Sequence, residues 1–303
     1  DLGTGTMKRI GGNRVYTPIS PLTVDWSPDS KWLAYVVSTQ PLVNTVFAYS
    51  LDQDKSFPIT DGLSEVTEPT FDKGGKYLYL FGSTDAGPVQ DWFAQSISDM
   101  RRTRNVYMVV LRKGIVSPLA KESDEEKPKK ADVPAEKAGD KPAPAAEKKA
   151  EAEKKEPFSI DFDGIENRIV ALPIPSGDLF ALQVGDAGHV YYQRREGRDA
   201  SINHYDLVKR KAETPLASAD AYTLSADAKK VLYAKDRAFF ITLMGPKIAP
   251  GEGRIAAADI EVRIDPRAEW AQIFNEAWRI NRDYFYAPNM HGVDWPAMKA
   301  KYA

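Results

Sequence analysis

A chain of 303 residues has room for about two domains. Its 43% hydrophobic content supports a sizeable core, and a net charge of −2 argues against a nucleic-acid binder, which needs a basic excess. Cysteine is absent, which excludes disulfides, thiolate nucleophiles and cysteine metal centres, and no apolar run is long enough to span a membrane.

The opening DLGTGTMKRI reads as the outer hairpin of a blade that would begin earlier, as if the chain were cut from a longer one. A repeat then starts. Its copies are WSPDSKWLAY (Trp26–Tyr35), FDKGGKYLYL (Phe71–Leu80), VGDAGHVYY (Val184–Tyr192) and LSADAKKVLY (Leu224–Tyr233). Each places an apolar residue before a tight turn of Pro, Asp, Gly, Ser or Ala, and a β-rich aromatic run after it. That pattern is a hairpin. Trp26 and Phe71 stand 45 residues apart, and Val184 and Leu224 stand 40 apart. Such periods mark β-propeller blades of four short strands.

Strands are expected near Leu22–Trp26, Trp32–Val37, Thr45–Leu51 and Phe57–Thr60 for the first complete blade. The second takes Glu68–Phe71, Lys76–Phe81 and Asn105–Leu111, with its last strand delayed to Arg168–Leu172. The third takes Phe180–Val184, Val190–Gln193, Ile202–Leu207 and Ala212–Leu216, and the last Tyr222–Leu224, Val231–Ala234 and Ala238–Leu243. Residues 121–157 interrupt the second blade with little but Lys, Glu, Asp, Ala and Pro, a composition that cannot offset the entropy of ordering, so a mobile insertion is expected there. Past Gly253 the pattern turns helical: Asp265-Pro266 is a helix start, Trp270, Ile273, Phe274, Ala277 and Trp278 follow at helical spacing, and Asp294 caps a second helix at Trp295. The expected fold is mainly β: a partial propeller over 1–253, the last blades of a larger ring, then a linker and the first helices of a second subdomain over 254–303.

Few residues offer chemistry. Gly62-Leu63-Ser64-Glu65 falls short of a nucleophile elbow by its second glycine. Ser201, His204 and Asp206 lie along one strand, where residues two apart share a face but stand too stretched for a relay. Asp161-Phe162-Asp163-Gly164 opens like a calcium loop but has Glu166 and Leu172 where the loop needs glycine and an acid. His291 beside Asp294 is a weak candidate because capping already employs Asp294. Arg101, Arg102 and Arg104 cluster on an excursion between blade strands and could meet a peptide carboxylate. No phosphate loop or dinucleotide fingerprint occurs, and no cofactor or metal is expected.

The stretch IDFDGIENRIVALPIPSGDL (Ile160–Leu179) resembles a blade junction of tricorn proteases and their bacterial homologues, a branch of the serine peptidases. The stretch EVRIDPRAEWAQIFNEAWRINRDYFYAPNMHGVDWPAMKAKY (Glu261–Tyr302) resembles the start of their first catalytic subdomain. The resemblance implies a portion of a peptide-degrading serine endopeptidase, with this portion forming the substrate-gating propeller and Arg101, Arg102 and Arg104 as gating candidates. It implies oligopeptide substrates, a homo-hexamer, no nucleic acid, no membrane span, and a cytoplasmic location, with a periplasmic or secreted one as the alternative. The family's catalytic His, Ser and Glu match no position here, and His291 does not match the catalytic His. The competing readings are a non-catalytic TolB-like propeller that binds proteins, and a propeller hydrolase of the prolyl-oligopeptidase kind.

Overall fold

The computed structural model of the chain describes residues 3, 5–11, 23–38, 43–83, 103–120, 157–257 and 260–302. They fall into two compact units, Asp1–Ile255 and Ala256–Ala303.

Among the described residues the first unit holds four antiparallel sheets, each laid down in chain order. The first blade is β1 (Val24–Trp26), β2 (Trp32–Ser38), β3 (Asn44–Ser50) and β4 (Lys55–Pro58). The second is β5 (Glu65–Phe71), β6 (Tyr77–Ser83), β7 (Asn105–Val110) and, after the insertion, β8 (Ile169–Ala171). The third is β9 (Asp178–Val184), β10 (His189–Glu196), β11 (Asp199–Asp206) and β12 (Lys211–Leu216). The fourth is β13 (Ala221–Leu224), β14 (Lys230–Lys235) and β15 (Ala238–Leu243). In place of a fourth strand, Gly253–Ile255 runs along β15, with Ile241 N–H donating to Gly253 and Ile255 N–H to Phe239.

The repeat is a tight turn in each blade, closed over five residues in the first, second and fourth and over four in the third, where the Gly185 N–H donates to His189. The Ser27 hydroxyl donates to Asp29 at 2.6 Å and accepts the Trp32 N–H at 2.9 Å; Ser225, Asp227 and Lys230 repeat this at 2.6 and 2.9 Å. Each turn holds one left-handed residue: Ser30, Gly75, Gly188 and Ala228, with φ of 58, 68, 80 and 56°. Glycine takes that conformation freely, whereas Ser30 and Ala228 adopt it at a cost of about 1–2 kcal/mol.

Blade faces carry the core. In the second and third blades the middle strands are apolar on both sides, because each side meets a neighbouring blade. Leu78 and Leu80 of β6 pack with Ala34, Val46 and Ala48 of the first blade. Tyr79 and Phe81, pointing the other way, pack with Val190, Tyr192 and Tyr205 of the third. Tyr191 and Ile202 then meet Tyr222, Val231 and Tyr233 of the fourth. At about 1.5–3 kcal/mol per fully buried side chain, these layers are the main force joining the blades. On the far side of the fourth blade Phe239, Ile241 and Leu243 stay exposed.

The insertion region, 121–156, lies outside the described residues, as do Arg101 and Arg102. Beyond it, Phe162 stacks on Phe57 at 4.4 Å, and Asp161 N–H rejoins Leu111, re-entering beside β7. Residues 5–11 form no strand; the expected outer hairpin is replaced by irregular chain tied through a Lys8–Asp54 ion pair and the Tyr35 hydroxyl on the Ile10 carbonyl.

In the second unit α1 (Pro266–Tyr284) is capped by Asp265, whose carboxylate accepts the N–H groups of Arg267 and Ala268. A helix α2 (Trp295–Tyr302) follows. Trp278 and Trp295 stack at 3.9 Å and pin the two helices together.

Candidate functional site

The first strand of every blade, β1, β5, β9 and β13, is the edge of its sheet, and the four stand side by side around an open cavity of ≈ 340 Å³. Its wall includes Asp25, Glu68, Thr70, Lys73, Gln183 and Leu224. These strands form the inner edge of the four described blades.

Polar side chains strap the inner strands together. Asp25 precedes the repeat's first apolar residue by one position, and its Oδ2 accepts the Phe71 N–H of the next blade at 2.7 Å. Gln183 holds the same repeat position two blades on; its Oε1 accepts the Leu224 N–H at 2.9 Å and its Nε2 donates to the Tyr222 carbonyl at 3.0 Å. In the second blade that position is Thr70, too short to reach. Glu68 substitutes from two residues earlier: a β-bulge turns it to φ 54°, and its Oε2 accepts the Leu182 N–H at 2.7 Å. A second carboxylate, Asp72, accepts the Gly188 N–H at 2.9 Å. At the cavity rim Lys73 reaches past the third blade to the Ala226 carbonyl, 2.6 Å away.

Burial pushes the carboxyls of Asp25, Glu68 and Asp72 above their ordinary values, partly offset by the backbone N–H groups they accept and, for Glu68, by Arg104. Arg104 sits in the same seam. Its guanidinium donates to the Leu179 carbonyl at 2.8 Å, and its backbone pairs with Gly177.

The other sequence candidates have structural partners. His204 Nε2 meets His189 Nδ1 at 2.9 Å, with Tyr191 stacked on His204 at 4.6 Å, while the Ser201 hydroxyl donates to the Arg194 carbonyl. In the Asp161–Gly164 loop the Arg168 guanidinium takes the carbonyls of Asp161, Asp163 and Gly164, where a cation would sit. Asp294 caps α2 through the Ala297 N–H, and His291 packs edge-on to Phe285 and Tyr286. Among the described residues no cluster of three or more His, Asp or Glu is arranged to hold a metal ion, and no helix is long and apolar enough to cross a membrane.

The straps had no motif to announce them. Aligning the repeats would have put Asp25 and Gln183 in register, a polar residue in an otherwise apolar strand. Glu68 escapes even that, because the bulge displaces it.

Residues 1–245 match the family model of the tricorn protease second β-propeller domain, and residues 266–303 match that of the tricorn protease C1 domain. Tricorn protease homolog 1 of Streptomyces coelicolor is 25% identical over 91% of this chain and 26% of its own length. Tricorn protease of Thermoplasma volcanium is 23% identical over 94% of this chain and 26% of its own. The chain thus spans about a quarter of the length of these curated relatives. A crystal structure of the tricorn protease superposes with a TM-score of 0.68 at 18% identity, covering 99% of this chain and 28% of that one.

Proposed function

This chain belongs to the tricorn protease family, and from that premise we propose that it is the channel-bearing portion of a serine endopeptidase that degrades unfolded peptides. The observation that carries the reading is the cavity framed by four inner strands, with a C1-domain match beginning 21 residues after the propeller match ends. A narrow channel walled by edge strands suits an extended polypeptide and refuses a folded one. The C1 match also separates this reading from a free-standing TolB-like module, which has no use for a catalytic subdomain.

The division of labour follows. These residues select and pass substrate, and the nucleophile, its histidine and the oxyanion donors belong to the complete protein. Arg101, Arg102 and Arg104 are the candidates to meet the substrate's carboxylate. A homo-hexamer and a cytoplasmic location complete the proposal.

The test compares the complete protein with residues 1–303 alone, using an unfolded fluorogenic oligopeptide. The complete protein should cleave it and the isolated chain should not. Turnover by the isolated chain, free of contaminating protease, would refute the division; inactivity of the complete protein would refute the activity.

A further inference from the structure

An edge strand offers unpaired N–H and C=O groups to any extended chain that comes alongside, and extended peptides bind by adding as a strand. A passage lined by edge strands should therefore be adhesive. The inner wall here is built otherwise.

Alternation identifies which backbone groups face the channel. In β5 the N–H just after the strand, on Asp72, is spent on Tyr77, so that of Phe71 points outward. In β9 the N–H of Gly185 is spent on His189, so that of Leu182, three residues back, points outward. In β13 the N–H of Ser225 is spent on Lys230, so Leu224 and Tyr222 point outward. These are the groups the straps occupy. Asp25 takes the Phe71 N–H, Glu68 the Leu182 N–H, and Gln183 both the Leu224 N–H and the Tyr222 carbonyl. Between the blades, the buried Tyr222 hydroxyl donates to the Ala181 carbonyl at 2.8 Å.

Resting on the channel reading above, we propose that Asp25, Glu68 and Gln183 form a non-adhesive lining: they occupy the channel-facing N–H groups of Phe71, Leu182 and Leu224 and the Tyr222 carbonyl, so that an extended polypeptide slides past these positions instead of pairing there. Tying blades together does not by itself explain them. Apolar packing already joins the same blades, and desolvating two carboxylates is a poor way to add strength. What all of them share is the backbone group they cover. Side chains also serve where a strand could not, since a side-chain acceptor satisfies one amide without offering the next one along.

The test uses this 303-residue chain, amide hydrogen exchange, and a short labelled peptide of alternating Thr and Val as the probe. In the wild type the Leu182 and Leu224 amides should be protected and the probe should bind weakly. The double variant Glu68→Ala/Gln183→Ala should bind it about ten-fold more tightly, the return on a few recovered backbone hydrogen bonds, and the probe should slow exchange at both amides. Glu68→Gln, which keeps an acceptor, should bind like wild type. Unchanged affinity in a folded double variant would overturn the proposal. If the double variant does not fold, the wild type decides: free exchange at Leu182 and Leu224 overturns the lining, and protection lost in Glu68→Ala but kept in Glu68→Gln supports it. Failure of the channel reading would show separately, as hydrolysis by the complete protein that ignores a plugged channel.

Discussion

The carboxylate of Glu68 leaves its own blade to accept the backbone N–H of Leu182 in the next, at 2.7 Å. A left-handed bulge residue makes the reach possible, and the equivalent bulge in the third blade, at Ala181, carries no side chain that could do the same.

That reach has a pH signature. Burial raises the Glu68 carboxyl in the folded chain, so folding takes up a proton. The linked stability is fully present below the unfolded carboxylate value of about 4.3 and is lost as pH rises through the folded value. Glu68→Gln removes the buried charge and keeps the acceptor. Its Tm should equal that of wild type at about pH 4 and match or exceed it at pH 7. A variant clearly less stable at pH 7 would show that the charge itself is needed.

The His189–His204 pair has the opposite sign. Burial, then the His189 ring, lowers the His204 value; Asp206 and Glu213 work against this, and Lys209 with it. Its stability is present above the ordinary value of about 6.5 and is lost as pH falls through the folded one. Wild type should therefore lose more Tm on acidification from about pH 7.5 to 5.5 than His204→Gln does. Parallel curves would remove the pair from the account.

The repeated turn predicts unequal costs for equal mutations. Ser27 is 3% exposed and serves the buried Trp32, whereas Ser225 is half-buried and serves the exposed Lys230. Ser27→Ala should cost about 1–2 kcal/mol in urea unfolding, and Ser225→Ala less, because water can replace its hydroxyl.

Gly253 closes the fourth blade. At φ +75°, a Cβ there would stand 1.9 Å from the Ile241 carbonyl oxygen. Gly253→Ala should cost more than about 1 kcal/mol and release the Ile241 and Ile255 amides to exchange while those of β10 stay protected.

What the sequence disclosed and what it withheld follow from range. Each strand could be placed because its pattern is local: Trp26, Phe71, Val184 and Leu224 precede turns whose residues announce themselves, and Asp265 and Asp294 mark helix starts within one turn. The straps join residues 46, 114 and 41 positions apart, and no local pattern encodes a contact between blades. The expected strand starting at Glu68 begins instead at Glu65, because the bulge breaks the alternation that marks a strand. The histidine pair was hidden likewise: His189 and His204 meet only once β10 and β11 are in register.

The central claim is that substrate reaches the catalytic machinery through the cavity between β1, β5, β9 and β13. It is tested most directly in the complete protein carrying Thr70→Cys on the cavity wall as its sole cysteine, labelled with a bulky maleimide. Hydrolysis of a long unfolded peptide should fall steeply while that of a minimal fluorogenic amide persists. Equal hydrolysis of the long peptide before and after labelling would mean that substrate enters elsewhere.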